Sequence, residues 1–349
     1  MKAPGGWMYR EIHEAPAVFE RLWERAGPTL LLLATRWRRN PPDLVIFVGR
    51  GSSGNAALYG RYLCEVHLEV PASLAAPSVV TVYAARPRFR GAWVVALSQS
   101  GRSPDVVRFV AAARARGAFT LAVTNHEDSP LGRAAHEVLG LCARPERSVA
   151  ATKTYLAQLS ALSLFVAEAA GDLALMRAHA SLPDRLRAAL ETEEAAAGLA
   201  GRWAQAETCI VAGRGYNYAT AREAALKLKE AAYVAAEALS SADLLHGPVA
   251  LLGRGFPVLV VAAPDRPSRH LSGMIRKLRR QGVELAVLSS DPRVLRTAAH
   301  PLPAPAGVPE ELTPHVYVVS VQLLAYHMGL LRGVDPDRPR GLRKVTRAL

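Results

Sequence analysis

Three places in the chain carry side chains whose types and spacing could do chemistry. The stretch "VVALSQSGRSPDVV" (94–107) runs from an apolar strand into a helix through Ser98, Gln99, Ser100, Gly101 and Ser103. Hydroxyls and an amide above a helix N-terminus offer several neutral donors plus the helix dipole, so the run either grips an anion such as phosphate or merely caps the helix. The stretch "GRGSSG" (49–54) repeats that logic with Ser52 and Ser53. It also spells the glycine spacing of a dinucleotide site. That site needs an acid at the end of the next strand, but "LEVPASLAAPS" carries its one acid, Glu69, at the start, so a nicotinamide cofactor is not expected.

The third place is "AREAALKLKEAAYVAAEAL" (221–239), a strong helical pattern with Lys227 and Glu230 three apart on one face. Such a pair is either a solvated ion pair or, given its Ala, Leu and Tyr neighbours, a partly buried one whose carboxylate suits general-base work. His246 sits in "SSADLLHGPVALL", where a histidine is either structural or a proton shuttle near neutral pH. Lys344, in "RGLRKVTRAL", reads by itself as a terminal charge. Only six of the 43 basic residues are lysine; Lys227, Lys229 and Lys344 fall within these motifs and Lys153 within "PERSVAATKTY". Lysine, unlike arginine, can lose its proton when partly buried.

The elements that must position these residues form a repeat. "DLVIFVGRGSSGNAALYGRYLCE" (43–65) parallels "ETCIVAGRGYNYATAREAALKLKE" (207–230), each a strand, Gly-Arg-Gly and a helix. "VVRFVAAARARGAFTLAVTN" (106–125) parallels "LSGMIRKLRRQGVELAVLSS" (271–290), each a helix, a glycine and an apolar strand. Alternating strands and helices predict two α/β units, each a mostly parallel sheet sandwiched by helices in a flavodoxin- or Rossmann-like topology. The expected division is 1–190 with a leading helix "REIHEAPAVFERLWERAG", 191–335 for the second unit, and a tail at 336–349. Where the first copy has "LSQSGRS", the second has "VVAAPDRPS", so a single ligand site is expected, in the first unit.

Composition narrows the class. The chain has 349 residues, half of them hydrophobic, and no apolar run long enough to span a bilayer. Its N-terminus, "MKAPGGWMYREIHEAP", is too polar for a secretory signal, so a cytoplasmic protein without membrane association is expected. Cys64, Cys142 and Cys209 form no paired motif and read as small core residues. The ten histidines show no metal spacing, so neither metal nor cofactor is expected. The net charge of +13 is spread along the chain without a dense basic arm, which fits an anionic small substrate better than nucleic acid.

"GRGSSGNAALYGRY", "LSQSGRSPDVV", "PERSVAATKTYLAQL", "ALKLKEAAYVAAEAL", "LLHGPVALL" and "VQLLAYHMGLLRGVDPDRPRGLRKVT" resemble, in order and over nearly the whole chain, the double-SIS (sugar isomerase) family. That family includes the isomerase half of glutamine:fructose-6-phosphate amidotransferases, and "PERSVAATKTY" and "PRGLRKVT" are most similar to stand-alone glucosamine-6-phosphate deaminases. The resemblance implies phosphate binding by Ser53, Ser98, Gln99, Ser100 and Ser103, and sugar contacts by Ser52, Val149 and Thr152. It implies Glu230 as the base moving a proton between C1 and C2, with Lys227 and Lys344 close by and the tail lying over the site. It implies a homodimer in which His246 opens the sugar ring in the neighbouring subunit's site. Arg102 and Ala151 depart from the amidotransferase pattern, which usually has Glu and Ser there. With no N-terminal cysteine nucleophile or glutaminase segment in this sequence, the expected reaction is glucosamine-6-phosphate to fructose-6-phosphate plus ammonia, or its ammonia-dependent reverse. The alternatives are turnover of another aminated sugar phosphate or a silent sugar-phosphate sensor.

Overall fold

A computed structural model describes residues 5–264, 266, 268–342 and 344. They divide into two compact units. The N-terminal unit comprises 17–146 and 153–180 together with Lys344, and the C-terminal unit comprises 5–16, 147–152 and 181–342. The division is therefore discontinuous, with two short segments from the first half of the chain belonging to the second unit.

Each unit is built on a five-stranded sheet whose paired strands are all parallel. In the N-terminal unit the strands are β1 (Leu44–Val48), β2 (Ala72–Leu74), β3 (Ala92–Leu97), β4 (Phe119–Thr124) and β5 (Glu137–Gly140), in the order β2-β1-β3-β4-β5. In the C-terminal unit they are β6 (Thr208–Gly213), β7 (Ala235–Ser240), β8 (Pro257–Val261), β9 (Glu284–Ser289) and β10 (His300–Pro303), in the order β10-β9-β8-β6-β7. Counted within each unit, the two orders are the same, as the repeat in the sequence requires. β3 and β4 are buried along their whole length, which is why they read as unbroken apolar runs: helices cover both faces of a parallel sheet. One helix in each unit, Lys153–Ala170 and Thr313–Leu331, is buried nearly all round and carries almost no charge.

Two expectations need correction. The leading segment is two helices, Gly6–His13 and Ala15–Arg39, because Pro16 cannot donate the backbone hydrogen bond a continuous helix needs there. The shorter helix belongs to the C-terminal unit, where Gly5 N donates to Asp335 Oδ1 (2.9 Å) and Trp7 N and Met8 N donate to Asp337 (2.8 and 2.9 Å). These carboxylates satisfy the unpaired amides of its first turn. Among the cysteines, Cys64 and Cys209 are buried, but Cys142 is half-buried at a φ of 52°, just past the end of β5 where the chain turns. Burial raises the Cys64 and Cys209 thiols, the latter to about 12, so neither supplies a thiolate near neutral pH.

Candidate phosphate loops and catalytic helix

In the N-terminal unit the serine loops lie at the C-terminal ends of β1 and β3, which are neighbours in the sheet. The strand order reverses between them, and it is at such a reversal that open parallel sheets form a ligand crevice. After β1 the chain must bend sharply into the helix Gly51–His67: a Cβ on Gly49 would lie 2.7 Å from Ser53 O, so only glycine fits. Ser52 and Ser53 occupy the first turn of that helix. Ser53 is buried, and its hydroxyl accepts a hydrogen bond from Gln158 Nε2 (2.9 Å).

The loop after β3 is held by its own side chains and by the backbone around it. Ser98 Oγ accepts from Gly101 N (3.2 Å) and Ser100 Oγ from Arg102 N (3.3 Å). Gln99 O accepts from Asn125 N (3.2 Å), and Gly101 O from Leu131 N (3.0 Å). Ser103 stands at the start of the helix Pro104–Arg114 in extended conformation, yet its side chain makes no capping bond. Ser98 and Ser100 thus organise the loop, whereas Ser103 is not spent on its helix. The loops are joined by Arg50, whose Nη2 and Nε both lie 2.7 Å from Oδ2 of the buried Asp105. In the C-terminal unit the matching reversal, between β6 and β8, is followed by Gly213-Arg214-Gly215-Tyr216 and Ala262-Ala263-Pro264, without a hydroxyl cluster among the described residues.

The C-terminal unit carries the charged helix, Asn217–Ala232. Asn217 Nδ2 donates to Thr313 Oγ1 (2.7 Å), and a Cβ on Gly329 would lie 2.2 Å from Ala231 O, so this helix is seated directly on Thr313–Leu331. Lys227 is wholly buried and is ion-paired with Glu230. Its Nζ also lies 3.5 Å from Glu223 Oε1, a fully buried carboxylate four residues earlier. Glu230 is about a quarter exposed, so one carboxylate of this cluster can meet a ligand while the other anchors the ammonium from within. A base beside a fixed cation can remove a proton and leave the developing negative charge stabilised.

The remaining candidates are distributed between the units. His246 caps the short helix Ser241–Leu245, is exposed, and its ring makes no hydrogen bond among the described residues. Val149 (half-buried) and Thr152 (buried) lie in the C-terminal unit, in the irregular stretch 147–152. Lys344, in the N-terminal unit, donates to Glu146 Oε2 (2.8 Å), a buried carboxylate that also accepts from Thr154 N (3.0 Å) and Thr154 Oγ1 (2.7 Å). Sequence reasoning missed Gln158, Asp105, Glu146 and Glu223. Only Glu223 left a readable signal, its i,i+4 spacing to Lys227. No group of three or more His, Cys, Asp or Glu able to hold a metal occurs among the described residues. No described helix is long and apolar enough to cross a membrane.

Comparison with known proteins agrees with this architecture. A relative from Methanothermobacter thermautotrophicus, named glutamine–fructose-6-phosphate aminotransferase (isomerizing), is 34% identical over 99% of this chain. The chain spans 58% of that protein's length. A crystal structure from Silicibacter pomeroyi, provisionally described as a phosphosugar isomerase, is 34% identical with a TM-score of 0.85, covering 95% of this chain and 99% of its own. The C-terminal domain of a glucosamine-fructose-6-phosphate aminotransferase from Francisella tularensis superposes equally well (TM-score 0.85, 26% identity, 95% of this chain and 98% of that domain). The SIS domain model matches residues 42–168 and again 203–332, one match for each parallel sheet, and the chain belongs to the SIS domain family.

Proposed function

We propose that this protein is a phosphosugar isomerase that converts glucosamine-6-phosphate to fructose-6-phosphate and ammonia, or runs the ammonia-dependent reverse. The observation that carries the reading is the Lys227–Glu230 pair: a carboxylate open to solvent, on a tightly seated helix, with a buried ammonium fixed against it. Its complement is the hydroxyl cluster found at one of two topologically equal strand reversals. The relative at 34% identity, named for an isomerising amino transfer with fructose-6-phosphate, supports the sugar-phosphate class.

In this reading Ser53, Ser98, Gln99, Ser100 and Ser103 hold the phosphate, while Ser52, Val149 and Thr152 contact the sugar. An anchored phosphate fixes the open-chain sugar, so that a single base can serve both C1 and C2. Glu230 removes the C2 proton and returns it to C1, turning the aldehyde and amine into a ketimine. Lys227 stabilises the negative charge that develops at O1, and Lys344 adds a second cation near C1 and C2. Water then adds to C2, and the carbon–nitrogen bond breaks with release of ammonia. His246, exposed and flanked by the exposed Leu245 and Leu251, opens the sugar ring in a second copy of this chain, which makes the working form a homodimer. A pure sensor would need the serine loops but no buried ammonium against a carboxylate.

The test is incubation of the purified protein with glucosamine-6-phosphate, without glutamine, following ammonia and fructose-6-phosphate together. Equal release of both products, lost in Glu230→Gln, is the expected result. Neither product, despite a rise in melting temperature with the phosphosugar, would overturn the deaminase assignment and leave binding alone.

A further inference from the structure

The stretch Arg147–Thr152 has no regular secondary structure, yet Ser148, Ala150 and Thr152 are buried. Buried irregular backbone needs partners for its amides and carbonyls. At the start of the stretch the partner is Glu11, itself buried on the short helix Gly6–His13. One carboxylate oxygen, Oε1, accepts from Arg147 N at 2.5 Å, and the other, Oε2, accepts from Ser148 N at 3.1 Å. At the far end Gln322 Nε2 donates to Thr152 O (3.3 Å). The helix that carries Glu11 is in turn fixed by Asp335 and Asp337, and the Arg147 guanidinium lies over the Trp7 ring, 4.3 Å from its centroid.

A carboxylate is costly to bury, and hydrogen bonds to it are shorter and stronger than those to a neutral acceptor. Two adjacent amides pointing at its two oxygens fix both the position and the orientation of the peptide between Arg147 and Ser148. Val149 follows directly. We infer that Glu11 is a positioning residue for the sugar: it sets the backbone at Val149, and the run on to Thr152, in the geometry that contacts the substrate. This rests on the sugar-phosphate reading above. Glu11 touches no substrate in this scheme; it acts through the loop it holds, whereas the phosphate grip belongs to other residues altogether.

The experiment uses the full chain and two probes, inorganic phosphate and glucosamine-6-phosphate. Glu11→Gln keeps the shape but turns an amide NH2 toward a backbone N–H, so one of the two bonds is lost. Expected are faster hydrogen exchange at residues 147–152, an unchanged melting-temperature rise with inorganic phosphate, and loss of the additional rise that glucosamine-6-phosphate gives in the wild type. kcat/KM should fall about tenfold, as for loss of one hydrogen bond to a charged group. Glu11→Asp, which keeps the charge but withdraws it by one methylene, should fall between the two and carries the same test if Glu11→Gln does not fold.

A wild-type sugar increment and wild-type kcat/KM in Glu11→Gln would overturn the inference, as would parallel loss of the phosphate and sugar responses, the mark of a general structural role. A wild type with no sugar increment over inorganic phosphate would overturn the sugar-phosphate reading, and this inference with it.

Discussion

Lys227 is buried completely between two carboxylates of its own helix, paired with Glu230 three residues on and 3.5 Å from Glu223 four residues back. The two acids are not equivalent, since Glu223 is sealed in and Glu230 meets solvent. Losing the cation takes an ion-pair partner from a buried anion; losing the outer anion does not.

Accordingly, Glu230→Gln should lower kcat by about 10²–10⁴-fold, the span of general-base catalysis, and barely move the urea midpoint. Lys227→Met should cost about 3–5 kcal/mol of stability, because it leaves Glu223 buried without its cation. Adding Glu223→Gln to Lys227→Met should recover part of that loss. Equal stability of Lys227→Met and the wild type in urea would contradict the pairing.

Two of the three serines of the second loop, Ser98 and Ser103, should separate by experiment. Ser103 makes no capping bond, so Ser103→Ala should change stability by no more than about 0.5 kcal/mol yet weaken protection by inorganic phosphate. Ser98 is buried and accepts from Gly101 N, so Ser98→Ala should lose phosphate protection and also about 1–2 kcal/mol of stability. Thermal melts with and without phosphate read both effects. Full phosphate protection in Ser103→Ala would remove it from the grip.

Gly101 and Gly171 offer a paired test of crowding against backbone strain. Both have positive φ, 62° and 67°, but a Cβ on Gly101 would lie 2.0 Å from Ser129 Oγ, whereas one on Gly171 meets nothing within 4 Å. Gly171→Ala should cost about 1 kcal/mol, the strain of a left-handed alanine. Gly101→Ala should cost clearly more and displace the serine loop, visible as loss of phosphate protection. Equal melting temperatures for the two variants would refute the crowding.

His179 should make stability fall in mild acid. Its ring is buried, with Nδ1 2.7 Å from Leu175 O and Nε2 2.8 Å from Ser163 Oγ, and burial lowers its pKa to about 4. An unfolded histidine takes up its proton near 6.5, so the contribution is complete above that value. Below it the unfolded chain binds a proton that the folded one refuses. Stability is therefore lost as pH falls from 6.5 to about 4, by up to about 3 kcal/mol. Urea midpoints at pH 7.5 and 5 should differ, and the difference should shrink in His179→Gln. An undiminished pH dependence in that variant would assign the effect to other groups.

The sequence by itself determined the repeated α/β plan. Apolar strand runs, Gly-Arg-Gly turns and helical periodicity are local signals, and strands covered on both faces must be apolar throughout, so β1, β3, β4, β6, β8 and β9 were legible. It also marked the serine loops and the Lys227–Glu230 spacing, because both lie within one element or one turn. What tertiary structure alone decided is which polar groups share a partner across the chain. Glu11 meets Arg147 and Ser148 across 136 and 137 positions, Lys344 meets Glu146 across 198, and Gln158 meets Ser53 across 105. No periodicity encodes such pairs, since each follows from how elements pack and from the need of a buried polar group for a partner. For the same reason the assignment of the short helix before Pro16 to the C-terminal unit followed from Asp335 and Asp337 rather than from the helical pattern around it.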